Sequence, residues 1–207
     1  RLLSLMGELN ASEKLFEQFK AEQDQEVKTE LFAALGGACY YALLPNSGTK
    51  VSPEMRRQVL DWAVEYLSQD NAQKAEKGAD VVKKLLEQDG LSPVEADKYM
   101  NKLADRYKQE KDIANGTLRG ELLGVMAGLC TQSVYKEEAR KIYKPLFQES
   151  LRDEADLVRE AAVEGLIYVD KTAALKIFRI SMVNDSSAKV REEIANLAGE
   201  VGGTEDL

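Results

Sequence analysis

The chain has 207 residues, 44% of them hydrophobic, with 28 lysines and arginines against 36 aspartates and glutamates for a net charge of −8. That is enough apolar residue to bury a core, and the excess of acids argues against a nucleic-acid partner, whose affinity comes largely from neutralised phosphates. Histidine is absent and cysteine occurs twice, which removes His-containing triads, HExxH zinc sites and imidazole acid/base chemistry; no apolar run approaches the roughly 18–20 residues of a membrane span, so the expected location is cytoplasmic, off the membrane.

In chain order, Arg1-Leu-Leu-Ser-Leu-Met-Gly-Glu-Leu9 matches Glu193-Ile-Ala-Asn-Leu-Ala-Gly-Glu-Val201, so the chain is expected to begin in mid-helix. A helix over 11–23 follows. Val27-Lys28-x-x-Leu31-x-x-Ala34-Leu35 then puts apolar residues at i, i+4, i+7 and i+8, one face of a helix, just after Asp24. The next helix, over 53–68, opens through Ser52-Pro53, with proline at a first-turn position where its missing N–H costs nothing. Ala75-Glu76-x-x-Ala79-x-x-Val82 is a weaker copy of the Val27 pattern, with the upstream acid Asp70 but Glu76 in the basic slot. Ser92-Pro-Val-Glu95 is a capping box and predicts a helix over 93–111.

Leu118-Arg119-x-x-Leu122-x-x-Val125-Met126 repeats the pattern, a helix over 134–151 follows, and Val158-Arg159-x-x-Ala162 repeats it again. A helix over 172–183 leads to the last copy, Val190-Arg191-x-x-Ile194-x-x-Leu197. Asp153 and Asp185 each stand five residues before their valine, and aspartate favours helix starts. The copies therefore begin near 27, 75, 118, 158 and 190, at intervals of 48, 43, 40 and 32. Helices alternating at such a period indicate a solenoid. No segment reads as a strand.

Asp-x4-Val-Arg-x-x-Ala/Ile, followed by a tail of the Leu/Ala-Gly-Glu-Val kind, resembles the second helix of a HEAT repeat. The resemblance is strong over 153–203, good over 24–43 and 115–130, and degenerate over the irregular long-helix section 46–112. It implies an all-α fold in one domain over 1–207: a right-handed α-α superhelix of about five helix pairs plus a partial one, with second helices lining its concave face. Neither end carries the polar cap of a complete array, so the chain is expected to be a fragment of a longer one.

The resemblance also implies an inter-repeat ladder formed by the acids Asp24, Asp153 and Asp185 with the bases Lys28, Arg119, Arg159 and Arg191. Cys39 and Cys130 each lie 12 residues into their copy, which reads as a repeated buried position, two repeats apart and too distant to pair. Trp62 falls with Met55, Val59 and Tyr66 at helical spacing and is expected in the core. Of the adjacent Tyr40 and Tyr41, one must point outward and is a candidate partner anchor. The outward positions of the second helices include Glu30, Glu121, Glu160, Glu164, Glu192 and Glu193, and residues 151–207 carry a net charge of −5. Such a lining predicts a basic protein or peptide partner. The expected function is a non-enzymatic interaction scaffold without cofactor or metal; a HEAT-like enzyme such as a bilin lyase or DNA-repair protein, and a structural spacer in a larger protein, are the alternatives.

Overall fold

The computed structural model describes residues 11–47, 51–110 and 116–201. The expected helix tail at 1–9 and the expected loop from Gly202 onward lie outside them. The described residues hold ten α-helices and no strand: α1 (Ala11–Ala21), α2 (Gln25–Leu43), α3 (Pro53–Leu67), α4 (Ala72–Leu86), α5 (Pro93–Gln109), α6 (Thr117–Gln132), α7 (Lys136–Ser150), α8 (Asp156–Val169), α9 (Lys171–Asn184) and α10 (Ala188–Val201). The chain divides into two compact units, Arg1–Tyr99 and Met100–Leu207, with the division inside α5.

The helix starts follow from local chemistry. Asp24 accepts from the Glu26 and Val27 N–H groups at 2.9 and 3.0 Å and so caps α2. Ser52 caps α3 through Met55 N–H at 3.1 Å, with Pro53 next to it, and Asn71 caps α4 through Lys74 N–H at 3.0 Å. At α5 the capping box is closed on both sides: Glu95 N–H donates to Ser92 Oγ at 3.3 Å, and Ser92 N–H donates to Glu95 Oε2 at 3.0 Å. The Ser92 N–H and Ser92 hydroxyl, donating to Glu95 Oε2 at 3.0 and 2.8 Å, and Arg57 at 2.8 Å hold the Glu95 carboxyl down at about 2.

In the first unit α1 packs on α2, α3 on α4, and α2 on α4. An aromatic cluster joins three of these helices. Trp62 lies 4.6 Å from the Phe19 ring and 5.1 Å from Phe16, while Phe32 stacks on Tyr66 at 4.3 Å. Arg56, only 2% exposed, turns its guanidinium onto the carbonyls of Leu85, Gln88 and Asp89, which are orphaned by the end of α4. The chain turns away there through Gly90 at φ +116°, a conformation that other residues adopt only with strain.

In the second unit α6, α8 and α10 form a row with α8 in the middle; α7 lies against α6 and α8, and α9 against α8 and α10. Leu122, Met126, Val158, Ala162, Leu166 and Ile194 are fully buried along this row. Each such leucine contributes about 2 kcal/mol relative to exposure. The polar ends of buried tyrosines are satisfied: Tyr143 Oη donates to the Met100 carbonyl at 3.0 Å, and Tyr107 shares a hydrogen with Ser150 at 2.5 Å.

Candidate functional site

Three copies of the pattern, those of Lys28, Arg159 and Arg191, begin with a turn whose carbonyl holds the base. In the second unit Arg159 Nη1 donates to the carbonyls of Asp153 and Glu154, at 2.8 and 2.9 Å, and Arg191 Nη1 donates to the Asp185 carbonyl at 2.6 Å. The guanidinium so anchored reaches forward. Arg159 makes a two-pronged pair with the Asp185 carboxylate, both bonds at 2.9 Å, and Arg119 pairs in the same way with Asp153. The Asp153 and Asp185 carboxylates also accept from backbone N–H groups two residues on, at 3.0 and 2.8 Å. Arg119, Asp153, Arg159, Asp185 and Arg191 thus form one connected ladder. The Asp185 carboxyl is held below its usual range, chiefly by the hydrogen bonds from Arg159.

The first unit departs from this pattern. Lys28 Nζ donates to the Glu22 carbonyl at 3.3 Å, the same six-residue offset as in Arg159 and Arg191. The acid in the ladder slot is therefore Glu22, whose carboxylate accepts from Gln23 and Asp24 N–H at 2.8 Å. Asp24, expected in the ladder from its sequence, is instead the N-cap of α2. It lies two residues too late for the ladder, where the second unit has the non-capping Ala155.

The second-helix surfaces of the two units differ in charge. In the first, a groove of about 620 Å³ is lined by Val27, Leu31, Ala34, Tyr40 and Tyr41 with residues of α4. Tyr40 and Tyr41 meet edge to face at 5.4 Å, and Tyr41 is the more open at 38% exposure. Four of the groove's five charges are paired, Glu30 with Lys77 at 3.0 Å and Asp80 with Lys84 at 2.6 Å, which leaves Glu76 in excess. The acidic lining expected from sequence therefore does not extend to Glu30.

In the second unit Glu121 is exposed on α6, and the carboxylates concentrate on α8 and α10. Glu164, Tyr168, Glu193, Leu197 and Glu200 line a depression of about 560 Å³. Tyr168, 37% exposed, donates to Glu164 at 3.4 Å. The Glu193 carboxyl is raised above its usual range by partial burial and then by the charges of Glu160, Glu164, Glu200 and Glu192. Tyr168 is raised by burial and by Glu164. Sequence pattern identified four of these carboxylates but missed Tyr168, because it follows the last apolar position of its copy and carries no spacing signal.

A carboxyl raised in the fold disfavours the charged form there, so its contribution to stability falls as pH climbs past the unfolded value of 4.5. Glu193→Gln is therefore expected to raise the melting temperature at pH 7 by about 1–2 °C, after allowance for solvent screening, and to leave it unchanged at pH 3, where both side chains are neutral. Thermal melts by circular dichroism at the two pH values check this.

The thiols of Cys39 and Cys130 are each fully buried and pushed up to about 12 by burial, which makes both poor nucleophiles. Among the described residues no group of three His, Cys, Asp or Glu side chains is placed to hold a metal ion, and no helix is long and apolar enough to cross a membrane. Comparison of the chain with protein-family models, curated proteins and solved structures gives no match.

Proposed function

We propose that the chain is a non-enzymatic, HEAT-like interaction scaffold, a superhelix of about five helix pairs that binds a basic protein segment along its second helices. The observation that carries the reading is the like-charge surface of α8 and α10. Glu160, Glu164, Glu192, Glu193 and Glu200 stand close enough for four of them to raise the fifth. A cationic side chain entering the depression beside Tyr168 relieves that repulsion and meets an aromatic ring. The ladder supports the array part of the reading, since the same turn and the same forward pair recur from Arg119 to Asp185.

A fluorescent nonalysine peptide tests the basic-partner claim. Binding to the wild-type chain is expected to weaken steeply with salt, as screening shortens the reach of exposed charges. A variant with Glu160, Glu164, Glu192 and Glu193 all changed to glutamine is expected to bind about tenfold or more weakly, at the usual small contribution per exposed charge. Equal binding by wild type and variant, or tighter binding of a nonaglutamate peptide, sinks the claim. No binding of either peptide shifts the weight to a structural spacer.

A further inference from the structure

In a chain with a net charge of −8, α9 alone among the described helices carries bases, Lys171, Lys176 and Arg179, and no acid. The acids that cap it are already engaged, Asp170 with Lys144 at 2.6 Å and Asp185 with Arg159 at 2.9 Å. Ala174, Leu175 and Phe178 are buried on the face that packs on α8 and α10. The opposite face also bears apolar side chains: Ile180 is 66% exposed and Val183 72%, with Lys176 and Arg179 exposed beside them. At about 3.6 residues per turn these four fall within one arc of about 100°. Stacking of helix pairs does not account for this patch. One period of 32 residues earlier Gln148 holds the place of Ile180, and it stays exposed with α9–α10 packed after it. Ile180 and Val183 lie in the last two turns of α9, and since the short turn 185–187 reverses the chain into α10, they sit at the end of the pair opposite to Val201.

The depression between α8 and α10 presents the complementary set. Glu164, Glu193 and Glu200 line it around Tyr168, and none of its lining residues belongs to α9. The outer face of α9 and the depression are therefore separate surfaces of one unit, the first basic and apolar, the second acidic and aromatic.

We propose that the outer face of α9 docks in the α8–α10 depression of a second copy of this chain, with Lys176 and Arg179 among the glutamates and Ile180 and Val183 against Tyr168. The inference rests on the reading of the depression as a seat for a basic segment, and it names that segment. Charge complementarity sets the orientation of the two surfaces, and the apolar side chains leave water on contact. The two surfaces differ, so the contact is heterologous: a docked pair still presents one α9 face and one depression, and a third copy adds.

Sedimentation equilibrium of the full chain tests this. The weight-average mass is expected to rise past that of a dimer as the loading concentration nears about 1 mM, the weak range of a small interface, and to fall back toward the monomer in high salt. Two double variants, Lys176→Gln with Ile180→Ser and Glu164→Gln with Glu193→Gln, are each expected to self-associate about tenfold or more weakly. Mixed together they should form a one-to-one dimer and nothing larger, because the mixture holds one intact α9 face and one intact depression per pair. Far-ultraviolet circular dichroism checks that both keep the wild-type helix content; if Ile180→Ser lowers it, Val183→Ser takes its place. A wild-type chain that stays monomeric, an association that survives either variant, or a mixture that stays monomeric overturns the proposal. The nonalysine peptide separates the two readings. A monomeric chain that binds it through the glutamates keeps the basic-partner reading and loses this one, and a monomeric chain that does not bind it loses both.

Discussion

Replacing Arg159 with alanine is expected to destabilise the unit Met100–Leu207 by about 3–5 kcal/mol, the cost of stranding one member of a buried ion pair. The Arg159 and Asp185 side chains are only 10% and 11% exposed, so water cannot take over the lost bonds to the carboxylate. The carbonyls of Asp153 and Glu154 lose their donor at the same time. Urea unfolding followed by far-ultraviolet circular dichroism measures the loss. Removing Asp185 as well is expected to restore part of it, because no unpaired charge is then left; a double variant whose cost equals the sum of the two single costs, within about 0.5 kcal/mol, refutes the coupling.

The pH dependence of the same pair has a definite sign. Asp185 is depressed below its usual 3.8, mainly by Arg159, so its contribution is complete above about pH 4 and is lost as pH falls through the folded value. The stability gap between wild type and Arg159→Ala should therefore narrow below pH 4.

Much of the helical order was legible because the signals were local. Ser92 with Glu95, Ser52 with Pro53, and the apolar spacing after Val158 and Val190 each specify a start and a buried face from a handful of neighbouring residues. The helix expected over 93–111 ends at Gln109, and that expected over 134–151 runs from Lys136 to Ser150, differences no larger than the usual fraying at helix ends. What escaped was whatever depended on contacts distant in sequence. Arg56 binds carbonyls 29 to 33 residues away, and since every residue has a carbonyl, no partner type marks the contact in the sequence. Lys144 and Asp170 are an ordinary base and an ordinary cap until the fold brings them together.

The misassignment of Asp24 has a similar cause. Three acids, Glu22, Asp24 and Glu26, precede Val27, and spacing alone does not show that α2 begins at Gln25 and takes Asp24 as its cap. Only the bond from Lys28 to the Glu22 carbonyl identifies the ladder turn. At the candidate site Glu160, Glu164, Glu192 and Glu193 were legible as outward positions, and Glu200 was not. Their mutual repulsion, and the partial neutralisation of the corresponding surface on α2 and α4, depend on which helices lie side by side.

The second large effect separates helix propensity from packing. Gly78→Ala replaces a poor helix former by the best one, a gain of about 1 kcal/mol where space allows. At Gly78 it does not: a Cβ would lie 2.5 Å from the Ala63 carbonyl oxygen and 2.5 Å from the Leu67 nitrogen, both backbone atoms of α3. No rotamer change relieves a clash with backbone, so α3 and α4 must move apart, at an overpacking cost of about 1–3 kcal/mol or more. We expect a net loss of about 2 kcal/mol and a melting temperature lower by about 5–10 °C, read from the fluorescence of Trp62, the sole tryptophan and a residue of α3. Gly124→Ala is the matched contrast, since nothing lies within 4 Å of the added carbon. There the propensity gain stands alone and circular dichroism should show a melting temperature about 2–4 °C higher. If the two substitutions shift stability in the same direction, the close approach of α3 and α4 is not what Gly78 serves, and the placement of Lys77 and Asp80 along the first groove needs another cause.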